Sequence, residues 1–160
     1  MHGNAGNLDN RIYKLNFLGN LDINFLLNKG VLEQDIILYG ESLGTAVAVE
    51  IGQNKDFAGI ILEAPFTSMI DLGQKYYPFF PVRFLLKDKY ENKNKIKNLK
   101  SPVLVLHGRK DKIVPFYMGE KIFEMANSPK FKYFTDLDDH MMNFDDKLID
   151  EIDLFIGNLN

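Results

Sequence analysis

The chain has 160 residues, a net charge of −3 and an isoelectric point near 5.6. That is length for one core rather than two, and the charge gives no footprint for nucleic acid or an anionic membrane, so no such partner is implied. The absence of cysteine excludes disulfides, thiolate metal sites and a cysteine nucleophile, and fits a reducing compartment.

The chain opens on Met1-His2-Gly3-Asn4-Ala5-Gly6-Asn7, a small polar segment with two glycines. A loop of this kind at a helix start presents backbone N–H groups that stabilise negative charge. The apolar spacing from Leu8 to Leu18 predicts a helix. Ile23 to Leu27 reads as a short strand, yet Leu27-Asn28-Lys29-Gly30 reads as a helix end, with Lys near the terminus and Gly beyond it. A strand running straight into the last turn of a helix is an odd junction.

Ile36-Ile37-Leu38-Tyr39 has strand composition, and it stops abruptly at Gly40-Glu41-Ser42-Leu43-Gly44 before a small-residue helix over Thr45–Gln53. In that context Gly-x-Ser-x-Gly reads as a sharp turn with Ser42 displayed at its apex. The competing reading makes Ser42 a simple helix cap. Phe57 to Ala64 is the next buried strand, and its continuous apolar character favours a parallel sheet covered on both faces. Met69 to Lys100 has no clean period, with aromatic residues first and a Lys/Asn/Asp/Glu mixture after.

Pro102 to Gly108 forms a third buried strand, followed by the polar loop Arg109-Lys110-Asp111-Lys112. A helix begins at Pro115 and runs to about Ala126. Phe131 to Phe134 forms a fourth strand, which leads into an acidic loop and His140. The spacing of Phe144, Leu148, Ile149, Ile152, Phe155 and Ile156 predicts a closing amphipathic helix. The most apolar run, Tyr76 to Leu86, is broken by two prolines and Arg83 and is too short to span a bilayer. No signal peptide is evident, and the chain reads as cytoplasmic. Alternating strands and helices predict a three-layer α/β/α fold with a mostly parallel sheet, as one domain over residues 1–160.

In such a sheet functional groups gather at the carboxyl ends of strands. Ser42, Asp111 and His140 each follow a strand end, in the order Ser, Asp, His. The pieces around them, together with Glu63-Ala64-Pro65-Phe66-Thr67-Ser68 and His2-Gly3-Asn4-Ala5-Gly6-Asn7, resemble the α/β-hydrolase superfamily. More narrowly they are similar to its small alpha/beta hydrolase domain-containing, serine aminopeptidase-like branch. The resemblance implies a serine hydrolase that cleaves carboxylic esters or thioesters through an acyl-enzyme. The same residues would serve an acyltransferase, or survive in a weakly active or inactive fragment.

The resemblance gives Ser42 the role of nucleophile, His140 that of base and Asp111 that of its orienting acid, with Leu43 and Asn4 supplying oxyanion N–H groups. It places a cap-like insertion at about residues 66–100, where Phe66, Tyr76, Tyr77 and Phe80 would bind an acyl group, or the aromatic segment would simply pack the cap. Alternatively, Asp111 is a turn residue and Glu63 the acid. Asp136, Asp138 and Asp139 read as solvated loop carboxylates, and His107 reads as structural. No cofactor and no metal is expected.

Relative to the family pattern, strands ahead of the His2-Gly3 segment and part of the interval between Asn7 and Gly40 are missing. The expectation is an incomplete fold, truncated at the N-terminus and internally deleted. The strand Ile36–Tyr39 would then have an exposed edge, or would pair with Ile23–Leu27 in a different order, and an open edge invites self-association.

Overall fold

The continuous apolar runs become strands with almost no exposed residue. In the computed structural model, which describes the backbone of residues 12–14 and all of residues 25–159, the strands are β1 (Ile12–Lys14), β2 (Ile37–Glu41), β3 (Gly59–Glu63), β4 (Val103–Gly108) and β5 (Lys130–Thr135). Every residue of β3 and β4 is buried, as expected for strands covered on both faces. The five form one sheet in the order β1-β2-β3-β4-β5, and each neighbouring pair is parallel.

Strand periodicity sends alternate side chains to opposite faces. Ile36, Leu38, Ile60, Leu62, Val103 and Val105 belong to one core cluster, and Ile37, Tyr39, Ile61, Leu104 and Leu106 to the other. Crossovers between parallel neighbours are right-handed as a rule, which puts the helices that pack back on the sheet on the same side. Accordingly Ala48 and Val49 of α1 (Leu43–Gly52), Leu99, and Ile122 of α5 (Phe116–Met125) all fill the first cluster. The second face is covered by Leu148, Ile152 and Phe155 of α6 (Asp146–Gly157). The result is three layers, α/β/α. Each large aliphatic or aromatic side chain buried this way contributes about 1.5–3 kcal/mol.

Between β3 and β4 lie α2 (Met69–Tyr76), α3 (Val82–Leu85) and α4 (Asn92–Lys95). Ser68 caps α2 by accepting the Asp71 N–H at 3.0 Å. The buried Asn92 amide donates to the Phe66 carbonyl at 3.0 Å and Lys93 N–H to Thr67 at 2.9 Å, closing the ends of this excursion on each other. Asp145 caps α6 through the Leu148 N–H at 3.0 Å. No helix among the described residues is long and apolar enough to cross a membrane.

Three expectations need correction. Ile12–Lys14 is a strand, not part of a helix over Leu8–Leu18: its pairing Ile12↔Ile37, Tyr13↔Leu38, Lys14↔Tyr39 satisfies the β2 edge that the sequence suggested was exposed. Residues 25–28 are helical, so Ile23–Leu27 is not the strand that pairs there. Leu26 and Leu27 instead pack on the first core cluster. Short apolar runs carry too little periodicity to separate strand from helix.

Candidate active site

At the end of β2 the chain turns so sharply that Ser42 adopts φ 50°, ψ −114°, a conformation an L-residue holds only under constraint. The constraints are visible. Ser42 N–H donates to the Glu63 carbonyl at 2.9 Å, and its own carbonyl accepts from Thr45 N–H at 3.0 Å and Thr45 Oγ1 at 2.6 Å. A Cβ on Gly40 would lie 2.4 Å from the Gly44 carbonyl oxygen, so only glycine fits there. Although Ser42 precedes α1, its side chain makes no cap hydrogen bond, which answers the cap reading and leaves Oγ directed elsewhere.

Ser42 Oγ lies 3.1 Å from His140 Nε2, across 98 residues of sequence. The other ring nitrogen, Nδ1, is 2.8 Å from Asp111 Oδ2. The carboxylate only accepts, so Nδ1 carries the proton and the Nε2 lone pair of the neutral ring faces the serine. Asp111 is itself fixed: Oδ1 accepts the N–H groups of Ile113 and Val114, each at 2.8 Å. Burial works to raise its pKa, but hydrogen bonds from His107, His140, Val114 and Ile113 outweigh it and hold the carboxyl well below the usual carboxylate range. The hydrogen bond to Asp111 in turn raises the pKa of His140 against the opposing effect of burial, with further help from the charges of Asp111, Glu41 and Glu63.

Two supports lie behind these three residues. His107 is fully buried, and its Nε2 sits 3.1 Å from both Asp111 Oδ2 and the Val114 carbonyl, so this nitrogen carries the proton and bridges two acceptors. Its Nδ1 has no hydrogen-bond partner among the described residues and faces the backbone of α5, where a Cβ on Gly119 would come within 2.1 Å. Glu63 accepts the Met142 N–H at 3.2 Å and the Tyr39 hydroxyl. Burial, and then the Glu63 charge, push the Tyr39 pKa far up, so the phenol stays a donor.

A serine hydroxyl facing a histidine ring nitrogen, with a buried carboxylate on the other nitrogen, is the arrangement that acyl transfer requires. Among the described residues no group of three or more His, Cys, Asp or Glu could hold a metal ion.

The sequence is 41% identical over 95 residues, 59% of the chain, to an uncharacterized protein of Mycobacterium tuberculosis, of which the match covers 34%. It is 32% identical over 104 residues, 62% of the chain, to alpha/beta hydrolase domain-containing protein 17B of Homo sapiens, covering 33% of that protein. The chain thus spans about a third of the length of these curated relatives. The fold superposes on the esterase domain of a Rhodothermus marinus protein with a TM-score of 0.64 at 19% identity, over 89% of this chain and 69% of that one. A Paleococcus ferrophilus monoacylglycerol lipase gives a TM-score of 0.59 at 16% identity, over 87% and 72%. The chain shares the fold of these esterase and lipase structures and is similar in sequence to an alpha/beta hydrolase domain-containing protein. No family profile matches it.

Within this fold the other sequence-derived candidates fare unevenly. Leu43 is the first residue of α1, where a backbone N–H has no acceptor inside the helix. Asn4 and His2 lie outside the described residues. Phe66 is 1% exposed and packs with Ala46, Val114 and Met118, which makes it core rather than an open lining. Its carbonyl is the acceptor for Asn92. Tyr76, Tyr77 and Phe80 are exposed. Tyr76 touches the Asp111 loop, its hydroxyl donating to the carbonyls of Lys112 and Ile113.

A cavity of about 640 Å³ opens beside His140, bordered by Lys110, Ile113, Leu137, Asp138 and Met141. Asp138 is buried, not solvated: Oδ1 accepts from the Asn143 amide at 2.8 Å, and its carbonyl accepts Lys110 N–H at 3.2 Å. Asp136 is exposed and pairs with Arg109. What the sequence reading missed is the work of Glu63, and its signal was there: one carboxylate ending the wholly apolar run Ile60-Ile61-Leu62.

Proposed function

We propose that this chain is a serine hydrolase that cleaves carboxylic esters or thioesters through an acyl-enzyme. The observation that carries the reading is the unbroken path from Ser42 Oγ through the His140 ring to Asp111 Oδ2, at 3.1 and 2.8 Å. As the substrate carbonyl arrives, His140 Nε2 takes the Ser42 proton while Oγ bonds to the carbonyl carbon. The resulting imidazolium is stabilised by Asp111. Collapse of the tetrahedral adduct breaks the bond to the alkoxide or thiolate leaving group, and the proton on Nε2 leaves with it. Water then repeats the sequence in reverse roles, releasing the acid and restoring Ser42.

Leu43 N–H is suited to hold the developing oxyanion, and one such donor is typically worth about 3 kcal/mol of barrier. The resemblance gives the second donor to the segment around Asn4. The insertion at residues 66–100 serves in this reading as a cap beside the site within a single domain. Esterases and a lipase among the structural neighbours agree with an acyl-ester substrate.

The test is mass-spectrometric labelling with a fluorophosphonate, alongside turnover of short-chain esters and thioesters. Rapid modification of Ser42 in the folded protein, absent in Ser42→Ala and after heat unfolding, supports the reading. A folded protein that neither labels nor turns over ester overturns it.

A further inference from the structure

We propose that the exposed surface of residues 75–89 docks on an anionic lipid bilayer. This stretch concentrates Tyr76, Tyr77, Phe79, Phe80, Phe84 and Leu85, and none of them is buried. Single exposed apolar residues are ordinary, but a contiguous group marks an interaction surface. The exposure is built in. Val82 is the member of α3 that packs inward, filling the space over Gly73 of α2, and this turns Arg83, Phe84 and Leu85 out. Phe79 and Phe84 are 97% and 87% exposed. Side chains standing that far out of the surface suit a fluid phase that closes around them better than a rigid complementary partner.

The charge of the stretch selects the kind of bilayer. Lys75, Arg83, Lys87 and Lys89 are all exposed, against Asp88 as the single carboxylate. None of the four cations forms an ion pair among the described residues. The net charge of the chain is −3, and this average conceals a locally basic patch. Aromatic side chains with flanking Lys and Arg are the composition that settles at the headgroup level of an anionic leaflet. The surface is also tied to the candidate site, because Tyr76 bonds the carbonyls of Lys112 and Ile113 next to Asp111. A docked molecule would hold that site close to the lipid surface.

Binding is read without turnover, so the proposal stands or falls separately from the hydrolase reading. The protein is co-sedimented with vesicles of phosphatidylcholine alone and of phosphatidylcholine mixed with phosphatidylserine. The expected result is partitioning onto the mixed vesicles that weakens as salt is raised. Lys87→Gln and Arg83→Gln should each lower it by about fivefold at low salt. Phe79→Ser with Phe84→Ser should abolish it while the circular dichroism and thermal midpoint stay unchanged, since both side chains are outside the core. No partitioning on either vesicle, or partitioning indifferent to both sets of variants, overturns the proposal. So does a concentration-dependent dimer that Phe79→Ser with Phe84→Ser dissolves in the absence of any vesicle binding, which assigns the patch to a second copy.

Discussion

The carboxylate of Glu63, at the end of β3, accepts the backbone N–H of Met142, two residues beyond His140. The Glu63 carbonyl accepts the N–H of Ser42. One residue therefore holds both the serine turn and the histidine loop. Glu63→Gln keeps an acceptor for Met142 but removes a charge that helps raise the His140 pKa. Its acidic limb of kcat/KM should move to lower pH with the plateau little changed. Glu63→Leu removes the acceptor as well and should lower kcat by about 100-fold, the cost of a misplacement near 1 Å, with KM nearly constant. A pH limb that stays put in Glu63→Gln would count against this account.

The working form of His140 in the proposed mechanism is the neutral ring. Because its pKa is raised above the ordinary 6.5, kcat/KM should climb with pH through a midpoint above that value. Asp111 stays ionised throughout, since its own pKa is lowered. The check is a pH–rate profile on an ester whose own hydrolysis is flat over the range.

The same two shifts act on stability in opposite windows. The raised His140 pKa stabilises the fold fully below the unfolded histidine value, and this contribution is lost as pH rises through the folded one. The lowered Asp111 pKa stabilises above the ordinary 3.8 and is lost as pH falls below it toward the folded value. In urea titrations, Asp111→Asn should therefore be less stable than the parent near neutral pH, and the gap should narrow in acid. Its kcat should fall by about 10⁴-fold, as when the carboxylate that sets a triad tautomer is replaced.

Gly119 touches neither Ser42 nor His140, yet a methyl group there would collide with His107 Nδ1. Gly119→Ala should push the His107 ring off Asp111 and the Val114 carbonyl, loosening Asp111 from a distance. Overpacking of this kind costs about 1–3 kcal/mol. The expected signature is a lower thermal midpoint together with a lower kcat at unchanged KM. Full activity at a reduced midpoint would restrict His107 to a structural role.

At Gly40 the obstruction is backbone, the Gly44 carbonyl at 2.4 Å from an added Cβ, and backbone cannot swing aside. Gly40→Ala should destabilise by at least about 1–3 kcal/mol and suppress fluorophosphonate labelling of Ser42, because relief requires the turn to open. Differential scanning calorimetry and labelling on the same preparation test both parts.

The parts of this protein that could be read from sequence are those with many residues voting the same way. Three strands are runs of five or six residues with none exposed, α6 repeats its apolar positions over three turns, and Ser42 sits between a strand and a small-residue helix as its motif requires. The misreadings fall where few residues vote. Three residues of β1 cannot outweigh the helical spacing around them, because what makes them a strand is the free edge of β2. Residues 25–28 are too few to show a period. Phe66 and Asp138 were judged by the company they keep in sequence, an aromatic segment and an acidic loop, whereas Phe66 packs with Ala46, Val114 and Met118, and Asp138 is buried where it accepts from Asn143. The pairing of Glu63 with Met142 spans 79 positions and leaves no local trace beyond a lone charge ending an apolar run.

The strand order sets a sequence of events. Among the described residues α1 and α5 pack on one face of the sheet and α6 on the other, and Met142, just past His140, is buried in the same cluster as Leu148 and Phe155 of that helix. Seating the helix and seating the histidine are one event. A chain emerging from the ribosome displays Ser42 early, but the group proposed to deprotonate it takes its place only when the last helix docks. Chemical reactivity at the serine would then be a late signal, one that reports the completion of the fold rather than its beginning.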